Sequence, residues 1–145
     1  MPVSGPPLID LAPGLSATGK LDRSDIDALA ASGVRTIVNN RPDDEDPGQL
    51  AAADARSLAE SHGISYHHIP VTAATLTRAD VDAFAAVLTV AEQPVVVHCR
   101  SGTRSTLLWA LTRLRDGADP FALVAEAARH GIDIAALPAI AARLR

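Results

Sequence analysis

Three features of this 145-residue chain predict an α/β fold: one domain with a mainly parallel central sheet flanked by helices. Short β-branched runs alternate with amphipathic stretches of about ten or more residues, the length a parallel crossover needs. The run Val95-Val96-Val97 is apolar at successive positions, as in a strand covered on both faces. Gly33, Gly63 and Asp116-Gly117 fall where one periodicity gives way to the next.

Residues 1–7 hold three prolines and a glycine and read as a flexible tail, leaving 8–145 as the domain. Leu8 to Gly19 is irregular or short-strand sequence around Pro13-Gly14, with a first edge strand near Leu15 to Ala17. Asp22 or Ser24 caps a helix carrying Ile26, Leu29 and Ala30, which Gly33 ends. Val34 to Asn39 is a buried strand, 41–48 a charged loop, and Gln49 to His62 an alanine-rich helix. Ile64 to Val71 is the next strand. Thr77-Arg78-Ala79-Asp80 is a capping box opening a helix with Val81, Phe84, Val87 and Leu88 on its apolar face. Pro94 stops that helix ahead of the Val95 strand. A helix with Leu107, Leu108, Leu111 and Leu114 on one face follows, then one opened by Asp119-Pro120, then a segment from Ile134 to Leu144 containing Pro138. Trp109 lies off the leucine stripe, which predicts partial exposure at an interface.

Composition narrows the function. No apolar run approaches the roughly 18 to 20 residues of a membrane span, and the first residues lack the basic-then-apolar order of a signal peptide, so the expected location is cytoplasmic. A net charge of −4 with no basic stripe argues against nucleic acid. The single cysteine excludes an intramolecular disulfide, a multi-thiolate zinc site and an internal resolving thiol. His67 and His68 face opposite sides of a strand, and the acidic run 43–46 lacks EF-hand spacing, so no metal and no cofactor are expected and the run reads as a solvated loop.

Chemistry concentrates in His98-Cys99-Arg100-Ser101-Gly102-Thr103-Arg104-Ser105. A strand ending in cysteine, a loop of backbone N–H groups and a helix N-terminus together make an anion site that favours a thiolate. A buried structural cysteine gains nothing from two arginines, two serines, a threonine and a glycine in the next six positions. Cys99 is therefore the expected nucleophile. Arg104 offers a planar fork to an oxyanion, and Ser105 a hydroxyl to the thiolate or leaving group. Arg100, Ser101, Gly102 and Thr103 line the substrate, with Gly102 free to take a positive φ. His98 supports the loop, and Arg41 either braces it or pairs with Asp43 to Asp46.

The Cys99-x4-Arg104-Ser105 arrangement resembles the loop of rhodanese-type sulfurtransferases, while the His98-Cys99 lead and the helix order resemble cysteine-dependent phosphatases, whose loop is Cys-x5-Arg. The stretch from about Leu15 to Trp109, with Val34 to Pro42 and His68-Ile69-Pro70-Val71, is similar to the family called beta-lactamase hydrolase-like protein, phosphatase-like domain. That resemblance implies a dual-specificity-phosphatase-like fold with a rhodanese-length loop, and a persulfide dioxygenase as a partner, since some members are fused to one.

Two enzymatic functions follow, and a third without turnover. Phosphatases of that type draw a general acid from the loop after the strand matching His68 to Val71, but here the loop reads Thr72 to Thr77 and holds no carboxylate. Sulfur transfer releases a thiolate or sulfite that needs no acid. The shorter spacer and the missing acid favour a sulfurtransferase that moves sulfane sulfur from a small anionic donor, thiosulfate or a persulfide, through a Cys99 persulfide to a thiol acceptor. Hydrolysis of a phosphoester through a phosphocysteine is the alternative; a sulfur carrier or anion-binding module is the other.

Overall fold

The computed structural model describes residues 5–145. Among them five strands, β1 (Ile9–Ala12), β2 (Leu15–Thr18), β3 (Thr36–Asn39), β4 (Ser65–His68) and β5 (Val95–His98), form one sheet in the order β1-β2-β5-β3-β4. Every pairing is parallel except β1 with β2, which turn back on each other around Pro13-Gly14. The expected α/β fold is thus the observed one. The expected edge strand is not at the edge: Ile9–Ala12 takes that place, and β2 lies inside the sheet beside β5. Of the expected tail, residues 1–4 lie outside the described residues, and Pro7 accepts a hydrogen bond from Thr18 Oγ1 at 2.7 Å.

The helices of the described residues are α1 (Arg23–Ala31), α2 (Ala52–Ser61), α3 (Arg78–Val90), α4 (Thr103–Arg115), α5 (Pro120–Arg129) and α6 (Leu137–Arg143). Strand alternation divides the core in two. Val95, Val97, Ala17 and Val38 face α3 to α6, whereas Val96 and Ile37 face α1 and α2. The caps are local and follow the residues: Asp22 accepts from Asp25 N–H at 2.9 Å, and Thr77 and Asp80 close a reciprocal capping box.

Helix α4 departs from the expected pattern. Its residues from Ser105 to Leu111 are all buried, Trp109 included, because the sheet, α3, α5 and α6 surround it on every side. A helix enclosed in this way has no polar face for Trp109 to occupy. The strand expected over Ile64 to Val71 is shorter, yet Ile64 and Val71 remain buried beyond its ends. No helix among the described residues is long and apolar enough to cross a membrane.

Pairing in register aligns the carboxyl ends of the four parallel strands: Thr18, His98, Asn39 and His68 lie in one row. In open α/β sheets this edge is where ligands bind, and Cys99 is the next residue out.

Candidate active site

Cys99 is fully buried as it leaves β5, and its N–H donates to Thr18 O at 3.4 Å. The chain then curls back so that the Gly102 N–H donates to Cys99 Sγ at 3.1 Å. The curl depends on Gly102 at φ +90°, where any side chain is strained. Arg100 O accepts from Lys20 N at 3.1 Å, pinning the loop to the end of β2. Helix α4 begins at Thr103, so its first N–H groups and its positive dipole end meet the thiol.

Ser105 is also fully buried, but its hydroxyl donates to Asn40 Oδ1 at 2.8 Å rather than to the thiol. Asn40 Nδ2 in turn donates to Ile69 O at 3.0 Å, tying the first turn of α4 to the ends of β3 and β4. Arg104 donates through Nη1 to Val71 O at 3.0 Å and through Nη2 to Glu45 Oε1 at 2.7 Å. Burial opposes its charge, but Glu45 and the Cys99 thiol outweigh that and hold the guanidinium above its ordinary range. Arg100 and Ser101 are exposed at the mouth, and Ser101 Oγ donates to Thr103 Oγ1 at 3.1 Å.

His98 lies beneath the loop, buried, with Nδ1 lacking a partner among the described residues. Burial pushes its pKa down to about 4, and the positive charge of Arg41 acts in the same direction. The ring is therefore neutral at pH 7 and lends no charge to the thiol.

The acidic run is solvated only in its first half: Asp43 and Asp44 are exposed, whereas Glu45 and Asp46 are partly buried in ion pairs. Arg41, buried at the end of β3, pairs through Nε with Glu45 at 3.1 Å and through Nη2 with Asp46, and Asp46 also pairs with Arg100 Nε at 3.1 Å. Arg41 therefore pairs with the acidic run, the second of its two expected roles, and the same two carboxylates meet Arg100 and Arg104 of the Cys99 loop. Asp43 accepts from Ala52 N at 2.8 Å, which caps α2 and places its start at Ala52 instead of Gln49. Gln49 instead spans the loop, donating to Pro42 O at 2.8 Å and accepting from Asp46 N at 3.2 Å. Glu45, Asp46 and Asn40 are site residues that motif reading missed. The available signal was position, since all three follow β3 at the edge of the sheet where Cys99 emerges.

The loop after β4 carries no carboxylate, as expected. Thr72 and Thr75 bond each other through their hydroxyls at 2.6 Å, and Asp80 is occupied with Thr77. His62 Nε2 lies 2.8 Å from Asp27, and His68 Nε2 lies 2.8 Å from Arg41 O. A hollow of about 300 Å³ lined by Lys20, Arg41, Asp46 and Gln49 opens beside the mouth.

A cysteine delivered by a central parallel strand into a loop whose Gly102 N–H turns back to the thiol, with an arginine on the next helix, defines a cysteine-phosphatase-like fold. Solved structures agree. A candidate phosphatase from Neisseria meningitidis Z2491 is 32% identical, with a TM-score of 0.81 over 90% of this chain and 94% of that one. Another from Shewanella putrefaciens CN-32 is 25% identical, with a TM-score of 0.71 over 97% of this chain and 93% of that one. The chain belongs to the family of the beta-lactamase hydrolase-like protein, phosphatase-like domain, whose model matches residues 8–115. A beta-lactamase hydrolase-like protein of Agrobacterium fabrum is 37% identical over 123 residues, which are 84% of this chain and 28% of that protein. The chain spans about a quarter of the length of the curated relatives it matches.

These findings overturn the sulfurtransferase expectation. The matched region contains the whole Cys99-to-Arg104 loop, and both the family and the 32% identical structure are described as phosphatase-like. The four-residue spacer is thus no mark of sulfur transfer. The absent carboxylate after β4 does not single out sulfur transfer either, because a good leaving group departs from phosphorus without a strong acid. Neither a sulfur donor nor a persulfide dioxygenase partner finds support.

Proposed function

We propose that this domain hydrolyses phosphate monoesters through a phosphocysteine on Cys99. The observation that carries the proposal is the Gly102 N–H donating to Cys99 Sγ at 3.1 Å at the mouth of helix α4, with Arg104 on the helix's first turn. A thiolate in that field attacks phosphorus; the S–P bond forms, the P–O bond to the leaving group breaks, and the leaving oxygen takes a proton from solvent. Water then attacks phosphorus, giving up a proton to solvent, the S–P bond breaks, and inorganic phosphate leaves the restored thiolate. The N–H groups from Arg100 to Thr103, together with Arg104, hold the three non-bridging oxygens as charge develops on them. Arg100 at the mouth draws anionic substrate, and Ser105 holds the start of α4 in place through Asn40.

Because the loop after β4 offers no carboxylate, aryl phosphates, whose phenolate leaves without a strong acid, are the preferred substrates. A working thiol with no disulfide partner suits a reducing compartment, which supports the cytoplasm as its location.

The test is turnover of a phenyl phosphate ester by the unaltered chain beside Cys99→Ser. Turnover of at least about one per second is expected of the first, within the ordinary enzyme range, and none of the second. Equal rates in both, or none in either, would refute the proposal.

A further inference from the structure

We propose that Arg143, on α6, is a positioning residue that holds the turn after β4 as a fixed wall of the active site and so limits the size of the leaving group; this rests on the phosphatase reading above. The turn begins beside the site. Val71 O accepts from Arg104 Nη1 at 3.0 Å, and Thr72 is the next residue. The chain then closes on itself: Thr72 O accepts from Thr75 N–H at 3.2 Å and from Leu76 N–H at 2.9 Å, and the hydroxyls of Thr72 and Thr75 bond each other. From Thr72 to Thr77 it holds no carboxylate, so what it contributes to the site is shape.

A single turn ends as a helix does, with carbonyls that no N–H further along the chain receives. Arg143 supplies the missing donors. Its Nη1 donates to Ala74 O, and its Nη2 to Ala73 O and Leu76 O, each at 3.1 Å. A cation at the end of a turn is electrostatically favoured there, and a planar guanidinium has enough donors in fixed directions to bind three carbonyls at once.

The two ends of the turn are held without Arg143. Val71 and Leu76 are buried in one core with Leu137 and Ile140 of α6, and Val71 N–H donates to Asn40 O at 3.1 Å. Ala73, Ala74 and Thr75 between them are exposed, so the tip of the turn relies on the arginine. The family model ends at residue 115, which leaves α6 and this restraint outside the matched region.

The test compares the unaltered chain with Arg143→Ala and Arg143→Lys. Hydrogen exchange at the Thr75 and Leu76 amides reads the turn, kcat and KM on phenyl phosphate and on the larger naphthyl phosphate read the wall, and inhibition by orthovanadate reads the oxyanion cradle alone. In Arg143→Ala the two amides should exchange at least about tenfold faster, because the opened turn no longer protects them. The ratio of kcat/KM for naphthyl over phenyl phosphate should rise at least about threefold, since a mobile wall yields to the second ring. Orthovanadate carries no organic leaving group and should inhibit as before, because Val71 O keeps its place through Asn40 and the core. Arg143→Lys, with one ammonium for three carbonyls, should fall between the other two chains.

Unchanged exchange in Arg143→Ala would remove the tether and overturn the inference. Faster exchange with the same naphthyl-to-phenyl ratio would show that the turn is no wall, and orthovanadate weakened in step with the esters would place the effect in the cradle; either result overturns it as well. If Arg143→Ala does not fold, Arg143→Lys carries the same comparisons. These outcomes sink the inference alone, whereas an unaltered chain that turns over neither ester would bring down the phosphatase reading and the inference together.

Discussion

Lowering the pH from neutral should destabilise this domain through His98. The ring is buried, its pKa is pushed down to about 4, and Nδ1 has no partner among the described residues. In the unfolded chain the same ring titrates near its ordinary value of 6.5. Between those two values the unfolded state binds a proton that the folded state refuses, so proton uptake favours unfolding as the pH falls. The contribution is fully present above pH 6.5 and is lost progressively down to about 4. The gap corresponds to about 3 kcal/mol in all, of which about 2 kcal/mol is lost by pH 5.

Replacing His98 with leucine removes the titration and keeps an apolar side chain in the same space. Urea unfolding at pH 7.5 and pH 5, followed by the fluorescence of Trp109, the sole tryptophan, gives the comparison. The unaltered chain should lose about 2 kcal/mol more between the two pH values than the leucine variant, a relative midpoint shift of about 1 M. Matching losses in the two chains would refute the argument that burial of this ring sets the acid limit.

Two substitutions test the packing around the site. Ser105→Ala strands the buried Asn40 Oδ1 without its donor and should cost about 1 to 3 kcal/mol in urea unfolding, since an unpaired buried acceptor bears its full desolvation cost. An unchanged midpoint would mean another group satisfies Asn40. Trp109→Ala opens a cavity among α4, α5 and the sheet and should cost about 3 to 5 kcal/mol by thermal or urea unfolding, whereas an exposed tryptophan would cost little.

What was legible in the sequence was what depends on neighbours along the chain. Thr77 and Asp80 stand three positions apart and cap the same turn, and Asp22 with Asp25 does likewise. Gly102 was recognisable as the residue with a positive φ because a tight turn from strand to helix admits little else. The Cys99 loop could be read as an anion cradle because its parts are consecutive: strand end, N–H groups, helix start.

The sequence by itself therefore determined the α/β class, the alternation of strands and helices from α1 onward and the cysteine at the end of the central strand, all of which rest on short-range geometry and hydrophobic period, whereas β1 at Ile9–Ala12 was not legible. Tertiary structure alone decided what surrounds that cysteine. Glu45 and Arg104 are 59 residues apart and meet only because β3 and β5 are neighbours in the sheet. Ser105 and Asn40, 65 residues apart, meet for the same reason. Trp109 is buried because three helices and the sheet enclose α4, which no property of its own turn announces. The pairing of Arg41 with Glu45 and Asp46 is local in the chain, but the burial of its guanidinium and the reach of those carboxylates to Arg100 and Arg104 come from β3 lying beside β5.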